Sequence, residues 1–564
     1  MAEKRRTFLK KIGTVSAGLG LTSLSPLLPD SKHQHSLKGS MEFEEDKSYT
    51  VTILQSTDVH CQIHPHDELF WENEQMVFRK TGGYAQLATF FKKQRKINPD
   101  TFILDTGDMF QGSELSVKTT GKAMIPLLDE LGYDLYLPGN WEVIYGKRNL
   151  QTLMGALAAP KICANMYHDL GDKKRGELIF LPYHIWNIRG IKIGFLGYTD
   201  PYVPIRQSPA YSKGILYTPP EENLAHYVSV LKGDEQCDYV IILAHLGLSQ
   251  QIYLAGLPQC EGVDYILGGD THERVRKPIQ CKYAKVVEPG AFGSFVGSLK
   301  LTVQNGKVVR DDYELLEIDT DAWKPDETMA HLIDSNEFPF EKDINKVVGY
   351  STLPLYRYFV IENTIDTLVL DALSWQVPEV DIVFSNGFRF CPPLATHDHT
   401  DNIPITEGYI FDMLPVDSVV RKGKATGTQI KDWLENEINN VFAKNAAERL
   451  GGWLVKFRGM EITFNAFGEK GKRVQSVSVR GEPLKLQKIY SICACEREGD
   501  PPDVLCRMKG VKEAVNTKYT LHGLMRSYLE KNSPVTPAPQ MAAVILDGPQ
   551  TLLTQVSGVD YKFY

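Results

Sequence analysis

The chain has 564 residues, of which 43% are hydrophobic and 23% charged, and its formal net charge is -8. That length supports two to four domains with sizeable cores. The composition is that of an ordinary folded protein. The negative balance excludes a broad electrostatic grip on nucleic acid, although a local basic pocket is still allowed.

The N-terminus carries Arg5-Arg6-Thr7-Phe8-Leu9-Lys10 ahead of a weakly apolar stretch, Ile12 to Leu21, rich in Gly and Ala. This is the shape of a twin-arginine export signal. The apolar stretch is too short for a permanent anchor. Residues 1–40 are therefore expected to be a leader, and the mature protein to be periplasmic without a stable membrane anchor.

From Tyr49 onward, short apolar runs each end in a chemically loaded turn. Tyr49 to Leu54 leads into Asp58-Val59-His60, and Thr101 to Leu104 into Asp105-Thr106-Gly107-Asp108. Asp134 to Leu137 leads into Gly139-Asn140-Trp141-Glu142, Tyr239 to Leu243 into Ala244-His245, and Val263 to Leu267 into Gly269-Asp270-Thr271-His272. Helical patterns lie between them, such as Gly83 to Lys96, with Leu87, Phe90 and Phe91 on one face. Strand, polar turn and helix in repetition predict an α/β domain over 48–317. Ligands gather beyond the strand ends of such sheets. Five strand ends offering Asp, Asn or His are thus expected to converge.

Residues 318–350 are charged and contain Pro325 and Pro339, so a linker is expected there. A second domain follows over 351–564, with strands at Asp381 to Phe384, Trp453 to Phe457 and Val474 to Val479 and a helix at Thr428 to Asn439. Nine cysteines contain no Cys-x-x-Cys pair, which rules out a zinc ribbon or thioredoxin-type motif, and their odd number and loose spacing describe no disulfide framework. Cys493 and Cys495 fall in a strand-like run, where packing accounts for them. The sequence assigns no role to Cys61. His64 and His66 read as loop residues, and Asp105 as a support for its own turn.

Carboxylate, amide and imidazole ligands without thiolate suit manganese, magnesium, zinc or iron in place of a structural zinc. Asp58 and His60, two apart in an extended turn, can reach one ion. The Asp108 carboxylate could bridge two ions about 3.5–4 Å apart, the spacing of two-metal hydrolases.

These residues carry a resemblance. Asp58-x-His60, Gly107-Asp108, Gly139-Asn140, His245 and the Gly269-to-His272 turn resemble the five blocks of the calcineurin-like metallophosphatases. Ser385-Asn386-Gly387-Phe388-Arg389 is similar to the substrate-arginine motif of their 5′-nucleotidase branch. The resemblance implies a metallophosphatase β-sandwich flanked by helices, then an α+β substrate-binding domain of the 5′-nucleotidase type. It implies a first ion on Asp58, His60, Asp108 and His272, and a second on Asp108, Asn140 and His245. Manganese is the expected metal, with zinc, iron or magnesium as alternatives. Asn386, Phe388 and Arg389 would hold substrate.

The third block departs from the phosphatase pattern. It reads Asn140-Trp141-Glu142-Val143-Ile144, so the His–Asp pair that helps an alcohol leaving group is absent. In the last block Asp270 replaces a histidine and is carried as a candidate ligand. A tryptophan in the third block, Gly451-Gly452-Trp453-Leu454-Val455 and Glu498-Gly499-Asp500-Pro501-Pro502 resemble the SoxB thiosulfohydrolase family, although that family usually has His where Asn140 stands. This resemblance implies release of sulfate from a cysteine-bound thiosulfonate on a SoxYZ-like carrier protein, with Trp141 and Arg389 positioning the sulfonate. The alternatives are a 5′-nucleotidase or other phosphoesterase acting on a small molecule, and a binding protein without catalysis.

Overall fold

A computed structural model describes residues 48–385, 391–396, 402–450 and 452–553. The expected leader, and Asn386, Phe388 and Arg389 of the substrate motif, lie outside the described residues.

Two sheets build the N-terminal half. In the first, neighbouring strands run Lys307–Glu317, Phe295–Gln304, Tyr49–Ser56, Thr101–Asp105 and Leu135–Tyr136. In the second they run Ile279–Gln280, Lys285–Val287, Tyr265–Gly269, Tyr239–His245, Ile191–Thr199 and Tyr183–Ile188. The central strands are apolar because both of their faces are covered: Ile53, Ile103, Leu104 and Val240 to Ala244 are fully buried. Helix Tyr84–Ile97 turns Leu87, Phe90 and Phe91 inward, as its 3.6-residue period predicts.

Register brings the chemistry to one level. Ser56 pairs with Asp105, and Asp105 with Tyr136, in the parallel part of the first sheet. His245 pairs with both Gly269 and Thr199 in the second. The loops leaving these strand ends then meet between the sheets. Gln55 Nε2 donates to Thr106 Oγ1 (2.9 Å) and to the Gly268 carbonyl (2.8 Å), stitching the two sheets together at this level.

Three expectations need correction. Residues 318–350 are not a bare linker, because they form helix Glu327–Glu337, the short helix Glu341–Ile344 and the start of strand Val347–Ser351. Asp326 caps the longer helix by accepting from the Met329 N–H, and Trp323 packs edge-on against Phe90. The strand expected at Trp453 to Phe457 is Lys456–Arg458. His66 is not a loop residue, for it opens strand His66–Glu72 and its Nε2 lies 3.0 Å from Ser294 Oγ.

The C-terminal half has a five-stranded sheet, ordered Lys456–Arg458, Ile382–Ser385, Ile489–Cys495, Val419–Thr426 and Lys512–Thr520, and a four-stranded one around Met460–Phe464. Helix Gly427–Phe442 carries a full capping box between Thr426 and Gln429. A buried bridge joins the halves. Arg274 Nη2 and Tyr358 Oη both donate to Glu68 Oε1, at 2.6 and 2.5 Å. Among the described residues, no helix is long and apolar enough to cross a membrane.

Candidate metal centre

The ligand-bearing turns need backbone shapes that few residues tolerate. Asp58, His60, Asp108, Asp270 and His272 all have positive φ, between 44° and 89°. Asp and His adopt this region more readily than bulky or β-branched residues. The loops are fixed to one another by backbone: the Asp58 N–H donates to the Gly107 carbonyl (2.8 Å) and the His60 N–H to the Asp108 carbonyl (3.0 Å). Two glycines permit this approach. A Cβ on Gly107 would meet Gly139 and His245 Nδ1, and one on Gly139 would collide with the Asp108 carboxylate and amide.

Five of the expected ligands form two triads, Asp58–His60–His272 and Asp58–Asp108–His245, each with one ligand atom per residue inside a 4.8 Å cluster. His60 Nε2 stands 3.9 Å from Asp58 Oδ1 and 3.6 Å from Asp108 Oδ2. His272 Nε2 is 3.3 Å from Asp58 Oδ1, and His245 Nε2 is 3.2 Å from Asp108 Oδ2. Asp58 belongs to both triads, and Asp108 Oδ2 also lies between His60 and His245. Either carboxylate is placed to bridge.

The electrostatics call for cations. Asp58 is fully buried and Asp108 is 2% exposed. Buried carboxylates are costly unless a positive charge meets them. Burial raises the pKa of Asp108, while at Asp58 the three imidazoles outweigh burial and hold the carboxyl low. At His245 burial disfavours the charged ring, yet Asp108, Asp58 and Asp270 together lift its pKa well above the ordinary value. Among the described residues, His245 Nε2 is buried without a hydrogen-bond partner. Its Nδ1 faces the Thr106 carbonyl at 2.7 Å, as His60 Nδ1 faces the Gln111 carbonyl at 2.9 Å. With Nδ1–H spent on a carbonyl, each ring turns its Nε2 to the centre. This donor set fits two divalent cations.

The other expected residues sit at the rim. The Asn140 Nδ2 donates to Asp270 Oδ1, and its Oδ1 accepts from Gln207 Nε2 at 3.1 Å. Asn140 is therefore beside the second triad, with its oxygen engaged by Gln207. Asp270 Oδ1 is 3.9 Å from His245 Nε2. Trp141 packs with Ala291 and Phe292, and its backbone N–H donates to Asp108 Oδ1 (2.8 Å). Cys61 is a buried thiol that ties the first loop to the second by donating to the Met109 carbonyl (3.1 Å). Asp105 accepts from the Gly107 N–H (2.8 Å) and Ser56 Oγ (2.6 Å), the supporting part expected of it.

Four residues escaped sequence reasoning. Glu142 accepts from the N–H groups of Asp108, Met109 and Gly139, bracing two ligand turns at once. Glu288 accepts from the N–H groups of Thr271 and Glu273 and from Thr271 Oγ1, bracing the last turn. Burial first, and Asp58 next, push the Glu288 carboxyl up to about 8. Its signal was available, because it stands one residue past strand Lys285–Val287. Arg206 and Gln207 follow strand Ile191–Thr199, whose interior glycines, Gly194 and Gly197, blurred the apolar run.

A family profile for calcineurin-like phosphoesterases matches residues 51–274, and one for the 5′-nucleotidase C-terminal domain matches 347–496. The trifunctional nucleotide phosphoesterase protein YfkN of Bacillus subtilis is 25% identical over 484 residues, covering 77% of this chain and 32% of that protein. The chain thus spans about a third of that relative's length. The 5′-nucleotidase of Vibrio cholerae is 23% identical over 546 residues, covering 88% of this chain and 93% of that one. Two solved structures from Thermus thermophilus share the fold, each at 21% identity and 89% coverage of this chain. They are the sulfate thiohydrolase SoxB in complex with glycerol (TM-score 0.78, 98% of that chain) and a 5′-nucleotidase precursor (TM-score 0.75, 100% of that chain). With its buried Asp/His cleft in the first half and its nucleotidase-type second half, the chain belongs to the metallophosphatase/5′-nucleotidase family of hydrolases.

Proposed function

We propose that this hydrolase is a thiosulfohydrolase, releasing sulfate from a cysteine-bound thiosulfonate on a carrier protein in the periplasm after twin-arginine export. Two divalent ions, when bound, supply Lewis-acid charge for the substrate oxygens and make water a nucleophile near neutral pH. The water oxygen bonds to the sulfonate sulfur, the S–S bond breaks, and the outer carrier sulfur leaves with the electron pair. Sulfate departs and both protons of the water go to solvent.

The observation that carries this reading is Trp141. By the resemblance it stands where the phosphatase block has its histidine, with Ile144 in place of that block's aspartate, so neither partner of that pair is present. An alcohol leaving group has a pKa near that of water, about 15.7, and gains much from a general acid. A sulfur leaving group, at about 8.5 for a simple thiol, departs readily as an anion. The apolar packing of Trp141 against Ala291 and Phe292 is better matched to the second. Trp141 would offer an apolar wall to the sulfonate, and the resemblance of the motif that contains Arg389 makes that residue the expected forked donor for its oxygens.

A 5′-nucleotidase reading is favoured by a different observation, the match of residues 347–496 to the nucleotidase C-terminal domain. A substrate panel separates the two. Metal-loaded protein should release sulfate from peptides carrying cysteine S-thiosulfonate and leave AMP nearly untouched, and Asp108→Ala should abolish the release. Hydrolysis of AMP at rates typical of enzymes, on the order of 10 per second, would reject the thiosulfohydrolase assignment.

A further inference from the structure

The carboxylate of Asp270 is split between two duties. Its Oδ1 faces the second triad, 3.9 Å from His245 Nε2, and accepts from Asn140. Its Oδ2 faces away, 3.3 Å from Arg206 Nη1. The same guanidinium nitrogen lies 3.1 Å from Asp200 Oδ2, and the Arg206 side chain is only 16% exposed. Among the described residues Arg206 Nε is buried without a hydrogen-bond partner, and Nη1 faces the two carboxylates.

The chain arrives at this geometry through register. Thr199 pairs with His245, so the loop after Thr199 rises beside the strand end that carries the second triad. Asp200 accepts from the Tyr202 N–H (2.9 Å), and helix Val203–Arg206 then turns Arg206 onto Asp270. Charge fits as well. The Asp270 carboxylate adds one negative charge beside Asp58 and Asp108, and the guanidinium, shared with Asp200, supplies one positive charge within hydrogen-bond distance.

We propose that Arg206 is a positioning residue for the second metal site: it holds Asp270 Oδ2 so that Oδ1 is presented as a ligand, making that site richer in oxygen and selective for hard ions such as manganese or magnesium over zinc. The inference rests on the two-ion reading of the cleft. Hard ions prefer carboxylate oxygen to imidazole nitrogen, and partners that orient a ligand are worth about 10–100-fold in metal affinity.

The test is metal binding, read by calorimetric titration with Mn²⁺ and Zn²⁺ and by metal content per chain, without recourse to turnover. Arg206→Gln should weaken the second ion by about 10–100-fold and leave the first unchanged. Asp270→Asn, which keeps the shape and removes the charge, should do the same and serves if the arginine variant folds poorly. Asp270→His should move the second site toward zinc, and in that background Arg206→Gln should change affinity by no more than about twofold. Unaltered Mn²⁺ affinity in Arg206→Gln, or an equal loss in the Asp270→His background, would overturn the proposal alone. Uptake of a single ion by the wild-type chain would instead sink the two-ion reading and this inference with it.

Discussion

The Nε2 atoms of His60 and His272 face each other across 3.2 Å, although 212 residues separate them in the chain. Burial, with His272 next, holds the His60 pKa down to about 3, so its ring is neutral and its Nδ1 proton is committed to the Gln111 carbonyl. Two such nitrogens aimed at one point, beside Asp58 Oδ1 at 3.3 Å from His272, describe a place for a cation. His272→Ala is therefore expected to remove one ion and Asp58→Ala to remove both, because among the described residues Asp58 is the one shared by both triads. Metal content per chain by plasma mass spectrometry checks this. An Asp58→Ala protein that kept two ions would contradict the shared-ligand assignment.

Glu142 braces two ligand turns through three backbone N–H groups. Leaving a buried donor unpaired costs about 1–3 kcal/mol. Glu142→Ala should thus lower stability by about 3 kcal/mol or more and weaken metal binding together. Chemical denaturation and metal titration on the same preparation measure both effects.

Gly139 gives a sharper separation of fold from site. An alanine there displaces the Asp108 carboxylate, since the new Cβ and that group claim the same space. Gly139→Ala is expected to lose Mn²⁺ binding while its far-ultraviolet circular dichroism stays close to wild type. Full metal content in a folded variant would show that the loop has room which the geometry denies.

Removing the ions should itself destabilise the chain, because they bind only the folded arrangement of Asp58, Asp108 and the three histidines. A ligand at 100 times its dissociation constant contributes about 2.7 kcal/mol. Dialysis against a chelator should lower the unfolding temperature, and re-addition of Mn²⁺ should restore it, as followed by calorimetry.

Lys456 sets a pH dependence in the C-terminal half. It is 4% exposed, and its Nζ donates to the Val360 carbonyl at 3.0 Å. Burial first, with Asp366 opposing and Arg357 assisting, holds its pKa down to about 8 from 10.5. Between those values the unfolded chain binds the extra proton, so stability rises with pH from about 8 to 10.5 and the gain is lost as pH falls through 8. The span corresponds to about 3 kcal/mol. Denaturant midpoints across that range should climb in the wild type and flatten in Lys456→Met.

Much of the site was legible in the chain because its logic is local. An apolar run followed by Asp, His or Asn announces a buried strand and the loop beyond it, and Tyr49–Ser56, Thr101–Asp105 and Tyr239–His245 all obey. Strand Ile191–Thr199 hid behind its glycines, and with it went Arg206. The region expected as a linker folded into helix Glu327–Glu337, whose Met329 and Ile333 are buried.

By itself the sequence determined which atoms could bind metal, the carboxylates and imidazoles at strand ends, and which turns between them carry glycine. Tertiary structure alone decided how they are shared. Asp58 serves both triads, Asp270 divides its oxygens between the cleft and Arg206, and Glu142 braces turns belonging to two different strands. Those choices rest on strand register and on bonds between the two sheets, such as Gln55 to Gly268. Contacts of this kind join residues hundreds of positions apart, where no periodicity in the chain can announce them.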